Sequence, residues 1–499
     1  MHLPSYNPVR HDGWTGAQAH NPGVKEPSNP GARDPQIIYM MGQWERINMA
    51  LADSHVLKSY GERFIPRLPG EDEDGYKARV MRFVHVPWFE ELTGLAANKI
   101  FRKTLNFSTD EESLLEWAKD VDGTGTSLDD FFQQATLIAI QYGHCHILVD
   151  QSTDNQPVTL RDQIESEVTP NLFLIRPDQV AGFRTEFKYG RERLTQFRYY
   201  EYAQKPDGKY GSEWVQRVRV LEPGKYELFE QPEGGRNSWD LIESGTFDLD
   251  EVPITTVYGL KTQSMMSRPP MLEVANINLL YDQALCDHSH QMAVAATPIL
   301  VLKGFDEQQP ELTVSVNRAL AMPPDGDVSY VQTDSASFQA QQNYLDYLTE
   351  RMNQVAIVQL KDQKAAAETA QSKRLDSSDE DSFLSVISST VESAVKQAIG
   401  WVQEYMGIDV EFEVVIPDNL SDQTLEPEQV AQLLALQASG AITKETLLEA
   451  LVQGEILNVD PLEEAEAASQ ESMDDLMTNQ EIMQSFATEP SGDQQSPAQ

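Results

Sequence analysis

Apolar side chains in the stretch from Ser267 to Gly304 repeat with the period of a helix. Val274, Ile277, Tyr281, Leu285 and Met292 recur at three- and four-residue steps, the last after His288, and mark one face. Leu272, Ala275, Leu279, Cys286 and Ala293 form a second apolar strip beside it. Asn276, Asn278, Asp282, Asp287, His288 and His290 interrupt the surface between the strips. Pro269 and Pro270 stand where the helix would begin, where a missing N–H costs nothing. No proline or glycine follows Met271 until Pro298, which leaves room for a helix of about 25 residues, roughly 38 Å long. Two strips with polar positions between them suit packing against several partners.

Elsewhere the pattern alternates between helix and strand. Ile37 to Ala52, Tyr76 to Val84 and Phe89 to Phe101 read as helices, with Arg102-Lys103 at a helix C-terminus. Leu128 to Gln141 is a helix that Gly143 should end, and His144 to Asp150 then reads as a strand. Leu172 to Ile175, Leu194 to Tyr202, Trp214 to Leu221 and Tyr226 to Gln231 carry aromatic and branched residues. Pro206-Asp-Gly208, Pro223-Gly224 and Gly234-Gly235 separate them, which predicts antiparallel hairpins. Leu300 to Gly304 is a short strand, with a turn at Pro323-Pro-Asp-Gly326. Phe338, Tyr344, Leu345, Leu348, Met352, Val355 and Ala356 define another helix, and Leu384, Ile387, Val391, Val395, Ala398 and Val402 a third. Asp409 to Ile416 alternates as one strand. Val430, Leu433, Leu434 and Leu436, then Gly440, then Leu447, Leu448 and Leu451 predict a helix hairpin. The class is α+β.

Composition narrows the function. At 499 residues the chain has room for two to four domains. Cys145 and Cys286 are too few for a disulfide framework, which fits a reducing compartment. The first residues lack a basic start and an apolar core, and the longest apolar run is too short to span a bilayer, so a soluble chain is expected. A formal charge of −41 argues against a tight grip on DNA, whose affinity comes from Lys and Arg releasing counterions. An acidic conduit remains open, since it would repel phosphates and let a duplex slide.

Candidate chemistry is sparse. Asp122-Gly-Thr-Gly-Thr-Ser127 lacks the lysine of a phosphate loop and reads better as a cap, with Ser127 facing Asp130. Residues 71–75 fail as a calcium loop, because Gly70 and Met81 would fall on ligand positions. Glu71 to Asp74 would instead steady a helix N-terminus. The His144/His146 and His288/His290 pairs come without further metal-ligand motifs. No catalytic residue, cofactor or metal is expected, although a metal-dependent hydrolase built on these histidines is the alternative from another class.

The double proline with its following helix, closed by Thr297-Pro298 and Gly304, resembles the stem helix of bacteriophage portal proteins. It is most similar to a portal-like subgroup first catalogued as an uncharacterised phage domain. Residues 66–103, the strand from Tyr142-Gly143 to Asp150, and Glu368-Thr-Ala370 with Lys373-Arg374 match it in the same order, over roughly residues 36–457. The resemblance implies a portal-like architecture: an arm over residues 1–35, a wing of helices and antiparallel strands over 36–266, and a first stem helix over 267–297. A small clip would occupy 298–335, a second stem helix 336–358, and a tunnel loop region 359–375. A tunnel helix and wing strand would span 376–416, an acidic helical crown 417–483, and a disordered tail 484–499. It implies Val274, Ile277, Tyr281, Leu285 and Met292 as stem and oligomer contacts. Lys361, Lys364, Lys373 and Arg374 would form a weakly basic collar on passing DNA. Expected partners are other copies in a ring, twelve by family habit, the terminase large subunit, a head–tail adaptor, the capsid or scaffolding protein and double-stranded DNA, with no membrane. A different head–tail connector is a further alternative.

Overall fold

The computed structural model describes residues 29–151, 169–232, 238–247, 249–296, 299–303, 327–331, 335–360, 370–416, 427–439 and 441–453. The chain divides into two units, residues 1–361 with 382–416, and residues 362–381 with 417–499. Helix and strand are mixed throughout the first unit, and the fold is α+β.

The first unit opens with α1 (Pro35–Ala50), α2 (Ser54–Ser59), α3 (Glu73–Arg82) and α4 (Trp88–Ile100). Then come β1 (Asn106–Thr109), α5 (Glu112–Trp117) and α6 (Leu128–Tyr142). Local chemistry sets these boundaries. Asp72 caps α3 by accepting the Gly75 amide at 2.7 Å, and Ser127 Oγ caps α6 by accepting the Asp130 amide at 3.2 Å. Gly143 ends α6 at φ 99°, where an added Cβ would lie 2.7 Å from the Ser267 carbonyl oxygen. Glu71 does not steady the start of α3 as expected; its carboxylate turns instead to Arg79.

Three sheet systems follow. β2 (His144–Asp150) lies between β3 (Asn171–Ile175) and β9 (Ile254–Tyr258), antiparallel to both. β4 (Val180–Lys188), β5 (Arg191–Asp207), β6 (Gly211–Glu222), β7 (Lys225–Glu230) and β8 (Asp240–Thr246) make a five-stranded antiparallel sheet in sequence order. β10 (Leu260–Gln263) and β11 (Met266–Arg268) pair as a short hairpin. The core lies where α6 packs on β2 and β9, with Phe131, Phe132, Ala135, Ala139 and Ile140 buried. His146 meets Phe197 edge to face at 5.1 Å and so joins the two larger sheets.

Beyond the sheets come α7 (Leu272–Ala295), β12 (Ile299–Lys303), β13 (Asp327–Val331), α8 (Ser335–Leu360), α9 (Ala370–Met406) and β14 (Phe412–Val415). β12 and β13 pair antiparallel from Ile299 opposite Val331 to Lys303 opposite Asp327, and β14 pairs with β1. Leu384, Ile387, Val391, Val395, Ala398 and Val402 on α9 are all buried, as their spacing requires. Burying each larger member is worth ~1.5–3 kcal/mol. Thr255 Oγ1 donates to Gln397 Oε1 and Thr390 Oγ1 to the Tyr258 carbonyl, which seats this helix on β9.

In the second unit α10 (Pro427–Ala438) and α11 (Lys444–Gln453) form the expected helix hairpin, with Leu447 and Leu451 buried. The expected Gly440 joint, the turn at 323–326, the arm up to residue 28, and the crown helix and tail from 454 lie outside the described residues.

Candidate functional site

α7 and α8 carry the candidate function. At 24 and 26 residues they are roughly 36 and 39 Å long, and they pack side by side. His288 Nδ1 lies 3.0 Å from Gln341 Oε1, Gln341 Nε2 donates to Gln291 Oε1 at 2.7 Å, and Arg351 pairs with Glu273 at 2.8 Å. These contacts put the α8-facing side of α7 on the helical side that also carries Ile277, Tyr281 and His288.

Helix α7 buries Val274, Ala275, Leu279 and Cys286, and its polar side chains add directed ties to the rest of its unit. Asn278 and Asp282, one turn apart, are both fully buried. Val86 N donates to Asp282 Oδ1 at 3.1 Å, and Phe89 N donates to Asn278 Oδ1 at 2.9 Å. Asn278 Nδ2 donates to the Val86 carbonyl at 2.9 Å, and His85 Nδ1 lies 2.6 Å from Asp282 Oδ2. Ser54 Oγ accepts His85 N and the Val86 carbonyl accepts Trp88 N, while Asp282 and Asn278 satisfy the Val86 and Phe89 amides where the chain enters α4. Burial pushes the Asp282 carboxyl up, and His85 partly offsets that.

A second clasp lies one turn along. Arg79, 1% exposed, donates to both Glu71 oxygens at 2.8 Å, to Asp287 Oδ1 at 2.8 Å and to the Pro66 carbonyl at 2.6 Å. The Arg79 guanidinium holds the Glu71 carboxyl down to about 2. Burial raises the Asp287 carboxyl, with Arg79 opposing, and raises the buried Cys286 thiol to about 11. Gln283 Nε2 donates to the Phe64 carbonyl at 2.6 Å. The polar positions expected to leave α7 free for several partners are therefore spent largely on one, the segment from Phe64 to Phe89.

The expected stem contacts divide along the helix. Val274 is buried, Ile277, Tyr281 and Leu285 are half-buried, and Met292 is 49% exposed. Glu273, Asn276 and Leu280 on α7, with Asn343, Tyr347, Glu350 and Gln354 on α8, remain exposed. The two helices together hold five acids (Glu273, Asp282, Asp287, Asp346, Glu350) and one base, Arg351. Lys361 and Lys364 lie outside the described residues. Helix α9 begins at Ala370, so Lys373 and Arg374 stand on its first turns and not in a loop.

His144 and His146 are buried, with ring centroids 4.8 Å apart, and His146 Nδ1 meets Thr256 Oγ1 at 2.9 Å. Burial presses the His144 imidazole down to about 3. Among the described residues no group of three His, Cys, Asp or Glu could hold a metal ion, and no helix is long and apolar enough to cross a membrane. Both cysteines are free and buried.

Sequence reasoning missed Arg79, Glu71, His85, Asn278 and Asp282 as a unit. One signal was available. Ala275, Leu279, Asp282 and Cys286 step by four, three and four, so Asp282 occupies a slot in the second apolar strip.

Three comparisons bear on these helices. None of the curated proteins matches the chain. Among solved structures, the chain is similar to one from the neck of an empty gene transfer agent particle computed with C6 symmetry. The identity is 14%, the TM-score 0.40, and the match covers 79% of this chain and 96% of that one. It is also similar to one from the virion of a native gene transfer agent particle, at 12% identity and TM-score 0.37, covering 81% and 99%. A third, from the neck of a native particle computed with C12 symmetry, has 12% identity and TM-score 0.38, covering 79% and 98%. At TM-scores below 0.5 these likenesses do not assign this chain's fold to theirs. A family profile described as a domain of unknown function, DUF4055, matches residues 270–406, the stretch that runs from the start of α7 to the end of α9.

Proposed function

We propose that this chain is a portal-type subunit: a ring of copies at one vertex of a phage-like capsid, through which double-stranded DNA enters and leaves. The observation that carries the reading is the α7–α8 pair. Two helices of more than 35 Å lie side by side, and α7 is clasped to the segment from α3 to the start of α4 by buried polar side chains. Their exposed surface is rich in amides and acids and nearly free of bases. Arranged as staves, such surfaces would offer passing phosphates a single cation per copy, Arg351, already paired with Glu273, so a duplex would slide. The sequence resemblance to portal stems supports the same assignment, and the family profile covers residues 270–406, the stretch from α7 to α9.

In this reading the wing helices and sheets fix the stem, β12–β13 begins the clip, and Lys373 and Arg374 contribute to a weak collar. The chain works mechanically and electrostatically, without a reaction of its own. Terminase, adaptor and capsid proteins are the partners the role requires, and assembly would take place in the host cytoplasm before incorporation into the virion. Light scattering on the purified chain tests the oligomer: a mass many times 56.1 kDa supports a ring, and a single-subunit mass at every concentration removes it.

A further inference from the structure

The first three strands of the five-stranded sheet, β4 to β6, differ in charge from the rest of this acidic chain. Residues 176–225 hold 11 Lys and Arg against 7 Asp and Glu, a net of +4 within a chain of −41. β5 overlaps its neighbours unequally: β4 pairs with Arg191–Tyr199, and β6 with Phe197–Asp207. The β4–β5 turn therefore runs past the body of the sheet as a two-stranded ribbon, an element of marginal stability by itself.

At the end of the ribbon Lys188 pairs with Arg191 across a turn of Tyr189 and Gly190. Both turn residues are left-handed, with φ 52° and 76°. Asn-Gly would fill such a turn with little strain, whereas a tyrosine is costly there. Among the described residues Tyr189 gains only the Lys188 ammonium, 5.7 Å from its ring centre, and it is 88% exposed, with Phe187 79% exposed. Of the four bases on the ribbon, only Arg193 has an ion-pair partner among the described residues, Glu251 at 3.5 Å. Arg184, Lys188 and Arg191 are exposed, with the Lys188 ammonium over the Tyr189 ring.

We infer that this ribbon docks on a second copy of the chain, on the acidic shelf formed by residues 110–122. The shelf holds six acids and one base, Lys119, which pairs with Glu116. Asp110, Glu112 and Glu116 are exposed there around Leu115, itself 38% exposed on α5. Cations with aromatic rings on one surface meet carboxylates with an apolar side chain on the other. Copies of a chain this acidic repel one another at long range, so contacts between them must bring scarce positive surface against negative. Ribbon and shelf are different surfaces, so the contact is head-to-tail, the kind that closes rings. The inference rests on the ring reading above.

Native mass spectrometry of the full chain across a concentration series tests it. Lys188→Glu with Arg191→Glu should raise the concentration for half-assembly at least tenfold. Glu112→Lys with Glu116→Lys should do the same, and all four changes together should restore assembly to within threefold of the original. Tyr189→Gly relieves the turn and keeps the fold, and it too should weaken assembly. Rings undiminished by the charge reversals would overturn the inference while leaving the ring reading intact. So would rings that persist but no longer retain duplex DNA, which would make the ribbon a nucleic-acid contact. A wild-type chain that never assembles would remove both.

Discussion

Arg79 reaches Asp287 across 208 residues of chain, Nη1 to Oδ1 at 2.8 Å, and by doing so ties α3 to the middle of α7. The same guanidinium grips Glu71 with two hydrogen bonds and the Pro66 carbonyl with another. Removing one member of a buried ionic group strands the others. Arg79→Met should therefore cost about 3 kcal/mol or more, measured by urea unfolding. Asp287→Asn should cost less, because Asp287 is more exposed and Glu71 keeps its partner.

Glu71 makes part of this clasp pH-dependent. Its carboxyl is lowered from 4.5 to about 2, so the stability it adds is full above about pH 4.5 and is lost as pH falls towards 2. Glu71→Gln should flatten the stability curve in that window and leave its shape near neutrality unchanged. Chemical denaturation from pH 2 to 7 reads the difference.

His144 acts over a higher window. Burial takes it from 6.5 to about 3, so the folded chain binds fewer protons there than the unfolded chain. Stability should fall as pH drops from 6.5 towards 3, at up to about 1.4 kcal/mol per pH unit. His144→Leu should reduce that slope and leave the like contribution of the buried His146, and thermal melts at half-unit steps of pH check it.

The clasp at Asn278 is a matter of backbone satisfaction. Asn278→Leu leaves Phe89 N without its partner, at about 1–3 kcal/mol, while the Val86 carbonyl keeps the Trp88 amide. Hydrogen exchange at Phe89 should accelerate before global unfolding does.

Much of this was legible in the sequence. The α9 stripe, the Ser127 cap, the Gly143 stop and the long helix after the double proline each arise from local periodicity or one residue's backbone preference, and each appears in the structure. Pro269 and Pro270, however, lie just before the Met271 N-cap of α7, outside its first turn. β8 left no strand signal, because both of its faces are largely exposed and no alternation is imposed on Asp240–Thr246. The clasps were illegible for a different reason. Arg79 and Asp287, like Val86 and Asp282, meet only after tertiary folding, and nothing local to either end marks the other.

The exposed surface of the stem gives an electrostatic prediction. Leu280→Lys with Tyr347→Lys adds cations to a face that otherwise holds one. Each added phosphate contact should steepen the salt dependence of duplex binding by about 0.9 in log–log slope. Filter binding across a salt series measures this, and an unchanged slope would place that face away from DNA.

Single-particle imaging of the purified full-length chain tests the central claim most directly. Cyclic rings with an open bore, lined by the face that carries Glu273, Leu280 and Tyr347, are the expected result. Compact single subunits, or rings whose bore is lined by another surface with α7 and α8 at the periphery, would contradict the account.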